Sequence, residues 1–263
     1  MDYQTITLTR DGGIARLTLN RPEKFNAFNS AMHAELRAAM ADLKASPPRV
    51  LIVSGVGKAF CSGQDLSERE LVARGERLDL GASLDANYNA LIRSIAALEF
   101  PIVARVQGVA AGAGASFALV CDIVVAGRAA KFTQAFVRIG LMPDAGGSWQ
   151  LPRRVGMARA MGMALLGQPV SGEQAADWGL IWQCVEDAAL DETVDAIATT
   201  LAALPAAALA AIKRGLHAAV ANTLHQQLDV ERDLQRELGY SSDFREGVTA
   251  FLAKRAPRFG GSG

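Results

Sequence analysis

The chain opens on two alternations. Thr5 to Thr9 and Ile14 to Leu19 place apolar side chains at every second position, the period of a strand with one face against a core. Asp11-Gly12-Gly13 between them suits a hairpin turn. From Ser30 to Lys44 the period lengthens. Met32, Leu36, Met40 and Leu43 recur at helical spacing, and Pro47-Pro48 closes the predicted helix. Val50 to Val53 reads as a short buried strand. A helix from Leu84 to Leu98 follows, then a strand from Ile102 to Val106, a glycine–alanine loop from Gly108 to Gly114, a short apolar helix, and a strand from Ile123 to Val125. Past Pro152 the pattern is helical. Ser171 to Gln174 reads as a capping box for a helix ending near Trp178. Leu190 to Leu204, Pro205 to Val220 and Leu224 to Leu238 predict long helices, and Asp243 to Lys254 a last one with a cap signal in Asp243 and Glu246. Ser67 to Ser83 is charged with little apolar periodicity and reads as a solvated surface helix or lid. The class is therefore α/β. No repeat or long linker divides it, so the expected organisation is a core over residues 1–200, a helical subdomain over 201–259 and a disordered tail over 260–263.

Composition narrows this picture. Of 263 residues, 50% are hydrophobic, enough for a sizeable core. With 27 basic and 27 acidic residues the net charge is zero, which argues against a nucleic-acid coat but allows a local basic cluster. The longest apolar stretch, Ile102 to Val120, is broken by Arg105, Gln107 and glycines, so no membrane span is expected. Met1 to Arg10 lacks the pattern of a signal peptide. Three cysteines are an odd number in a large chain, so a reducing cytoplasm is the default. No zinc spacing joins them to His33, His217 or His225, and no metal site is expected.

Motif tests exclude several chemistries. Gly112-Ala113-Gly114-Ala115-Ser116-Phe117 lacks the last glycine of a dinucleotide fingerprint. No phosphate-binding Walker sequence is present. Ala118 stands where G-x-S-x-G needs a second glycine, and no histidine is placed as a base for a serine nucleophile. Cys61 is expected as a buried thiol rather than a nucleophile. Trp149, Trp178 and Trp182 are expected to pack in the core.

Three segments remain. Lys58 to Leu66 follows one strand. Gln107 to Ala115 follows another and runs into a helix. The third is Ile139 to Gly147. Small-residue turns at strand ends expose backbone N–H groups, and two converging N–H donors are what an enolate or tetrahedral oxyanion requires.

These segments, with Asn20-Arg21-Pro22-Glu23-Lys24-Phe25-Asn26-Ala27 at one end and Phe251-Leu252-Ala253-Lys254-Arg255 at the other, resemble the crotonase, or enoyl-CoA hydratase/isomerase, superfamily across nearly the whole chain. The resemblance implies a spiral of ββα units with a helical C-terminal trimerisation region. It implies a trimer or dimer of trimers, an acyl-CoA substrate that brings its own coenzyme A, and neither a metal nor a separate cofactor. The oxyanion hole would be the N–H groups of Gln64 and Ala113. The backbone around Ser62, Gln64 and Leu66 would line the adenine pocket, and Lys24 and Lys58 would meet the CoA phosphates. Gly112 would lie along the acyl pocket. The two glutamates with which family hydratases handle water fall on Ser116 and Phe136, so hydration is disfavoured. Asp144 is left as either the cap of the following helix or the base, and the missing glutamates favour the base. Burial beside Phe136 would raise its pKa from about 3.9. Lys131 to Phe136, Ile139 to Asp144, Met161 to Gly167 and Trp178 to Gln183 are similar to members that rearrange the ring 1,2-epoxide of a phenylacetyl thioester to an oxepin and shift enoyl double bonds. Ser116 departs from the asparagine expected there. The resulting expectation is a single-aspartate acyl-CoA isomerase. The alternatives are a hydratase of the family and a non-catalytic crotonase-fold binding protein.

Overall fold

β1 (Ile6–Asp11) and β2 (Ile14–Leu19) form the expected antiparallel hairpin, with Ile6 opposite Leu19. α1 (Ser30–Ala45) follows, its first turn closed by the Asn29 side chain accepting from the Met32 N–H. A computed structural model describes residues 2–69 and 74–260 of the chain, which here lies in two sheets.

Three times the chain then lays one strand in each sheet and returns through helix. β3 (Val50–Gly55) and β4 (Ala59–Cys61) precede α2 (Ala90–Ala96). β5 (Ile102–Val106) and β6 (Val109–Ala111) precede α3 (Ala113–Leu119). β7 (Ile123–Gly127) and β8 (Lys131–Thr133) precede α4 (Gly147–Leu166). β9 (Val170–Ser171), α5 (Gly172–Asp177) and β10 (Gln183–Val185) complete the layers. The large sheet has the order β1-β2-β3-β5-β7-β10 and the small one β4-β6-β8-β9. Parallel pairing runs from β2 to β10 and from β4 to β8. This is the ββα spiral that the resemblance implies.

The pleat of β3 explains its unbroken apolar run. Leu51 and Val53 face the main core, with Phe28, Phe60, Phe117 and Phe132. Val50 and Ile52 face a second cluster under α6 (Leu190–Ala203), built with Leu190, Val194 and Ala198. A parallel strand covered on both sides has no polar face to present. Each such side chain, fully buried, contributes about 1.5–3 kcal/mol. α7 (Ala206–Ala219), α8 (Leu224–Gly239) and α9 (Ser242–Leu252) extend from this layer. Lys213 anchors them, its Nζ 2.8 Å from Asp122 and 3.1 Å from the Phe100 carbonyl. Among the described residues no single helix is long and apolar enough to cross a membrane.

The structure corrects several expectations. α4 begins at Gly147, ahead of Pro152, and breaks instead at Gly156 (φ 76°, ψ 162°). Its start lacks any side-chain cap, which is why the sequence pattern hides it. The helix expected from Leu84 starts as one turn at Leu80–Ser83 and passes through a π-helical turn, Leu84–Asn89, before α2. The cap of α9 is the Ser241 hydroxyl, accepting from Phe244 N–H, while Glu246 pairs with Arg255. Ser171 accepts from the Gln174 N–H, which is one half of the capping box expected there, while a reciprocal box forms at Thr223 and Gln226. Trp149 and Trp182 are not core residues, being 47% and 71% exposed. Arg153 lies over the Trp149 ring at 4.2 Å, holding it at the surface. Of the charged segment 67–83, residues 70–73 lie outside the described residues.

Candidate functional site

β4 and β6 are parallel neighbours, so their C-terminal ends open on one edge of the small sheet. The turn after β4 contains Ser62, Gly63, Gln64 and Asp65. Gly63 has φ 94°, and a side chain there would meet the Ala111 carbonyl at 2.8 Å and lie 3.6 Å from the Ala113 nitrogen. A side chain at Gly114 would fall 2.3 Å from the Cys61 carbonyl oxygen. Glycine at both positions lets the two turns touch, which brings Gln64 and Ala113 to one place.

Both residues carry an N–H free of the local ladder. Phe28 donates its N–H to the Gly63 carbonyl (2.7 Å) and accepts from Asp65 N–H (2.8 Å). In this parallel bridge the intervening Gln64 turns its own N–H to the other side. Ala113 opens α3, so no carbonyl lies one turn before it within the helix.

The turn after β4 is held by charge. Asp65 Oδ1 accepts from the Ser67 hydroxyl (2.6 Å) and N–H (3.1 Å), and Oδ2 lies 2.9 Å from the Arg21 guanidinium. The Ser67 hydroxyl first, and Arg21 with it, hold the Asp65 carboxyl below the ordinary range despite burial. Arg21 also donates to the Ala27 carbonyl at 2.7 Å, stitching 20–27 to this turn.

The third segment comes from the start of α4. The Ser116 hydroxyl, buried in α3, donates to the Asp144 carbonyl at 3.0 Å, shared with Gly112 at 3.3 Å. Gly147 N–H closes the turn on the same Asp144 carbonyl at 2.7 Å. Ala145 is left at φ 48°, a conformation that a residue with a Cβ rarely adopts. The Asp144 side chain does not cap α4: the cap is Gly146, without a side-chain bond. Asp144 Oδ1 is buried and has no partner among the described residues. Burial pushes the Asp144 carboxyl up to about 6. The Phe136 ring lies across Gly112, 3.5–4.0 Å from where a side chain there would begin, and is itself buried.

The expected residues thus divide. Gln64, Ala113, Gly112, Ser116, Phe136 and Asp144 gather around the facing turns. Ser62 joins them through Lys24, whose carbonyl accepts from its hydroxyl at 3.4 Å. Leu66 is 55% exposed beside them. Lys24 and Lys58 are both exposed, and Lys58 stands at the opposite end of β4 from Ser62. Cys61 is buried with its thiol pushed up to about 12, as suits a packed thiol.

Three residues were not foreseen in their roles. Arg21 lies in a recognised motif, but its pairing with Asp65 spans a sequence separation of 44 and has no local signal. Tyr88 donates to the Gln64 side-chain oxygen at 2.5 Å from another element. Gln134 is fully buried with neither amide atom partnered among the described residues, its Nε2 3.5 Å from where a Gly147 side chain would begin. Nothing in the sequence sets it apart from a surface glutamine.

The family model described as enoyl-CoA hydratase/isomerase matches residues 9–262. The 1,2-epoxyphenylacetyl-CoA isomerase of Escherichia coli (strain K12) is 51% identical over 250 residues, covering 95% of each chain. A Rhodobacter capsulatus protein named "Probable enoyl-CoA hydratase" is 49% identical, covering 99% of this chain and 100% of its own. The crystal structure of an enoyl-CoA hydratase from a Polaromonas species superposes with a TM-score of 0.91 at 35% identity, covering 97% of this chain and 99% of that one.

Proposed function

Because the chain belongs to the enoyl-CoA hydratase/isomerase family, a family of enzymes, we propose that it is an acyl-CoA isomerase working with one carboxylate. The observation that carries this reading is Asp144. Its carboxyl is raised to about 6 by burial, one oxygen has no partner among the described residues, and it caps no helix. A carboxylate in that state is a better proton acceptor at neutral pH than a solvated one.

In this mechanism the thioester carbonyl lies between the N–H groups of Gln64 and Ala113. Each donor lowers the barrier by roughly 3 kcal/mol as negative charge develops. Asp144 removes a proton from carbon near the thioester, leaving an enolate whose charge rests on the carbonyl oxygen. The same carboxyl returns the proton to another carbon, so a double bond moves and the mass is unchanged. Ser116 holds the Asp144 turn through its backbone, which frees the carboxylate for the substrate. The backbone at Ser62, Gln64 and Leu66 receives the adenine end, with Lys24 and Lys58 supplying charge for the phosphates. Coenzyme A enters as part of the substrate.

The narrower reading is a 1,2-epoxyphenylacetyl-CoA isomerase that also shifts enoyl double bonds. The 51% identity to the E. coli protein of that name supports it, as does the Phe136 ring over Gly112, an apolar wall suited to an aryl group. Hydration, suggested by the name of the R. capsulatus relative, finds a hydroxyl tied to backbone at Ser116 and a ring at Phe136. Assembly as a trimer or dimer of trimers belongs to the same reading. Met157, Met161 and Leu165, four residues apart along α4 and each more than half exposed, support it as an apolar stripe that water disfavours. Sedimentation equilibrium is expected to give three or six chains, and a monomer would refute that part. Three free cysteines support a cytoplasmic setting.

Mass-resolved product analysis with 3-enoyl-CoA and 2-enoyl-CoA substrates tests the chemistry. Double-bond migration at constant mass, lost in Asp144→Asn, is expected and would justify assay of the ring epoxide. Addition of water that survives in Asp144→Asn would overturn both base and reaction.

A further inference from the structure

The two proposed oxyanion donors are held by different means. Ala113 belongs to α3, whose backbone ladder fixes its peptide. Gln64 sits in a turn, directly after Gly63 at φ 94°, where backbone torsions are least restricted. The Gly63–Gln64 peptide is tied by one bond, Phe28 N–H to the Gly63 carbonyl at 2.7 Å. A further restraint on the Gln64 side matters, because an oxyanion hole works only if its N–H groups stand in place before charge develops.

We propose that Tyr88 is a positioning residue that supplies this restraint to the Gln64 N–H; the inference rests on the reading of Gln64 as an oxyanion donor. The Tyr88 hydroxyl donates to Gln64 Oε1 at 2.5 Å. The other end of the same carboxamide, Nε2, donates to the carbonyls of Phe28 and Asp65 at 3.3 Å each. The Gln64 carboxamide is thereby held on both sides, so that turning the Cα that carries it strains those bonds. The Tyr88 ring is held in its turn. It stands edge-on to His33 at 4.4 Å and to Phe28 at 5.6 Å, and is 5% exposed. Phe28 also binds Gly63 and Asp65 through its backbone, so one residue steadies both the ring and the peptide that the ring restrains. A buried phenol that loses its acceptor is destabilised, which keeps the hydroxyl on Gln64. Tyr88 lies in the π-helical turn Leu84–Asn89, a winding that is uncommon and recurs where a side chain has to be aimed. Tyr88 acts through Gln64 and is assigned no contact with the reacting atoms.

The test is a mutant cycle on the full-length protein. Tyr88→Phe keeps the ring and removes the hydroxyl; Gln64→Ala keeps the peptide N–H and removes the side chain. Each is expected to lower kcat about tenfold while KM stays within about twofold, because a small displacement of a donor is felt in the transition state more than in binding. The double variant is expected to be no slower than either single one. Independently of turnover, bound 4-(dimethylamino)cinnamoyl-CoA is expected to absorb at longer wavelength on the wild type, since hydrogen bonds polarise its thioester carbonyl, and to lose part of that shift in both single variants. Unchanged kcat and absorption in Tyr88→Phe would overturn the inference, as would losses that multiply in the double variant. Should Tyr88→Phe fail to fold, an undiminished shift in Gln64→Ala overturns it alone. If the wild type adds water yet Tyr88→Phe still loses the shift, the isomerase reading fails and the role of Tyr88 stands.

Discussion

The turn after β4 and the turn before α4 each carry one aspartate, and the protein treats them in opposite ways. Asp65 is surrounded by donors: the Ser67 hydroxyl and N–H on one oxygen, Arg21 on the other. Its charge is wanted where it is, and its pKa falls. Asp144 is fastened by its main chain instead, through Ser116 and Gly147, and its side-chain Oδ1 is buried without a partner among the described residues. Its charge is resisted, and its pKa rises to about 6. A carboxylate whose lone pairs are filled by the fold holds structure together. A carboxylate left unfilled by the same fold is available to a substrate, at some cost to stability.

Removing each carboxyl in turn is the way to break this contrast. The largest effect belongs to Asp144→Asn, which should lower kcat for double-bond migration by about a thousandfold, as loss of a general base does. The same variant should be more stable than wild type at neutral pH by roughly 1–3 kcal/mol, because a buried unpaired charge is gone; urea unfolding measures it. Asp65→Ala should do the reverse. Arg21 would lose its counter-charge in a largely buried setting, with about 3 kcal/mol of stability lost. Equal stability changes in the two variants would show that the contrast has no energetic content.

The smallest and sharpest effect is on pH dependence, where the signs also oppose. Asp144 works as the base only when ionised, so kcat/KM should fall as pH drops through about 6. Between that value and the unfolded value of about 3.9, folded Asp144 holds a proton that the unfolded chain has lost, so its penalty on folding fades as pH falls. Asp65 has the lowered value, so its contribution to stability is present above about 3.9 and is lost below it. A kcat/KM profile without an inflection near 6 would remove Asp144 as the titrating base.

Much of this was legible in the chain. Alternation and helical spacing located β1, β2 and α1 to within a residue or two, because one-sided burial imposes its period on the sequence. The start of α4 was not legible, since Gly146 caps it with no side chain and Pro152 lies inside it. At the site, Gly63 and Gly114 could be picked out because close backbone approach selects for the absence of a side chain, and Gly112 because its φ of 53° does. At Asp144 the pattern around it suited cap and base equally, since both roles fit an aspartate before a helix; only the glutamates missing elsewhere favoured the base, and the fold shows that the side chain caps nothing. Trp149 and Trp182 were misplaced because aromatic character alone does not say which side of a helix or turn faces inward.

The sequence by itself determined the local periods, the glycine turns and the inventory of carboxylates, all of which depend on neighbours along the chain. Only the tertiary structure decided which groups meet across long separations. It paired Arg21 with Asp65, Tyr88 with Gln64 and Ser116 with the Asp144 carbonyl. Burial and hydrogen-bond satisfaction are sums over neighbours in space. Two aspartates with the same intrinsic acidity therefore came to hold opposite charge preferences in the fold.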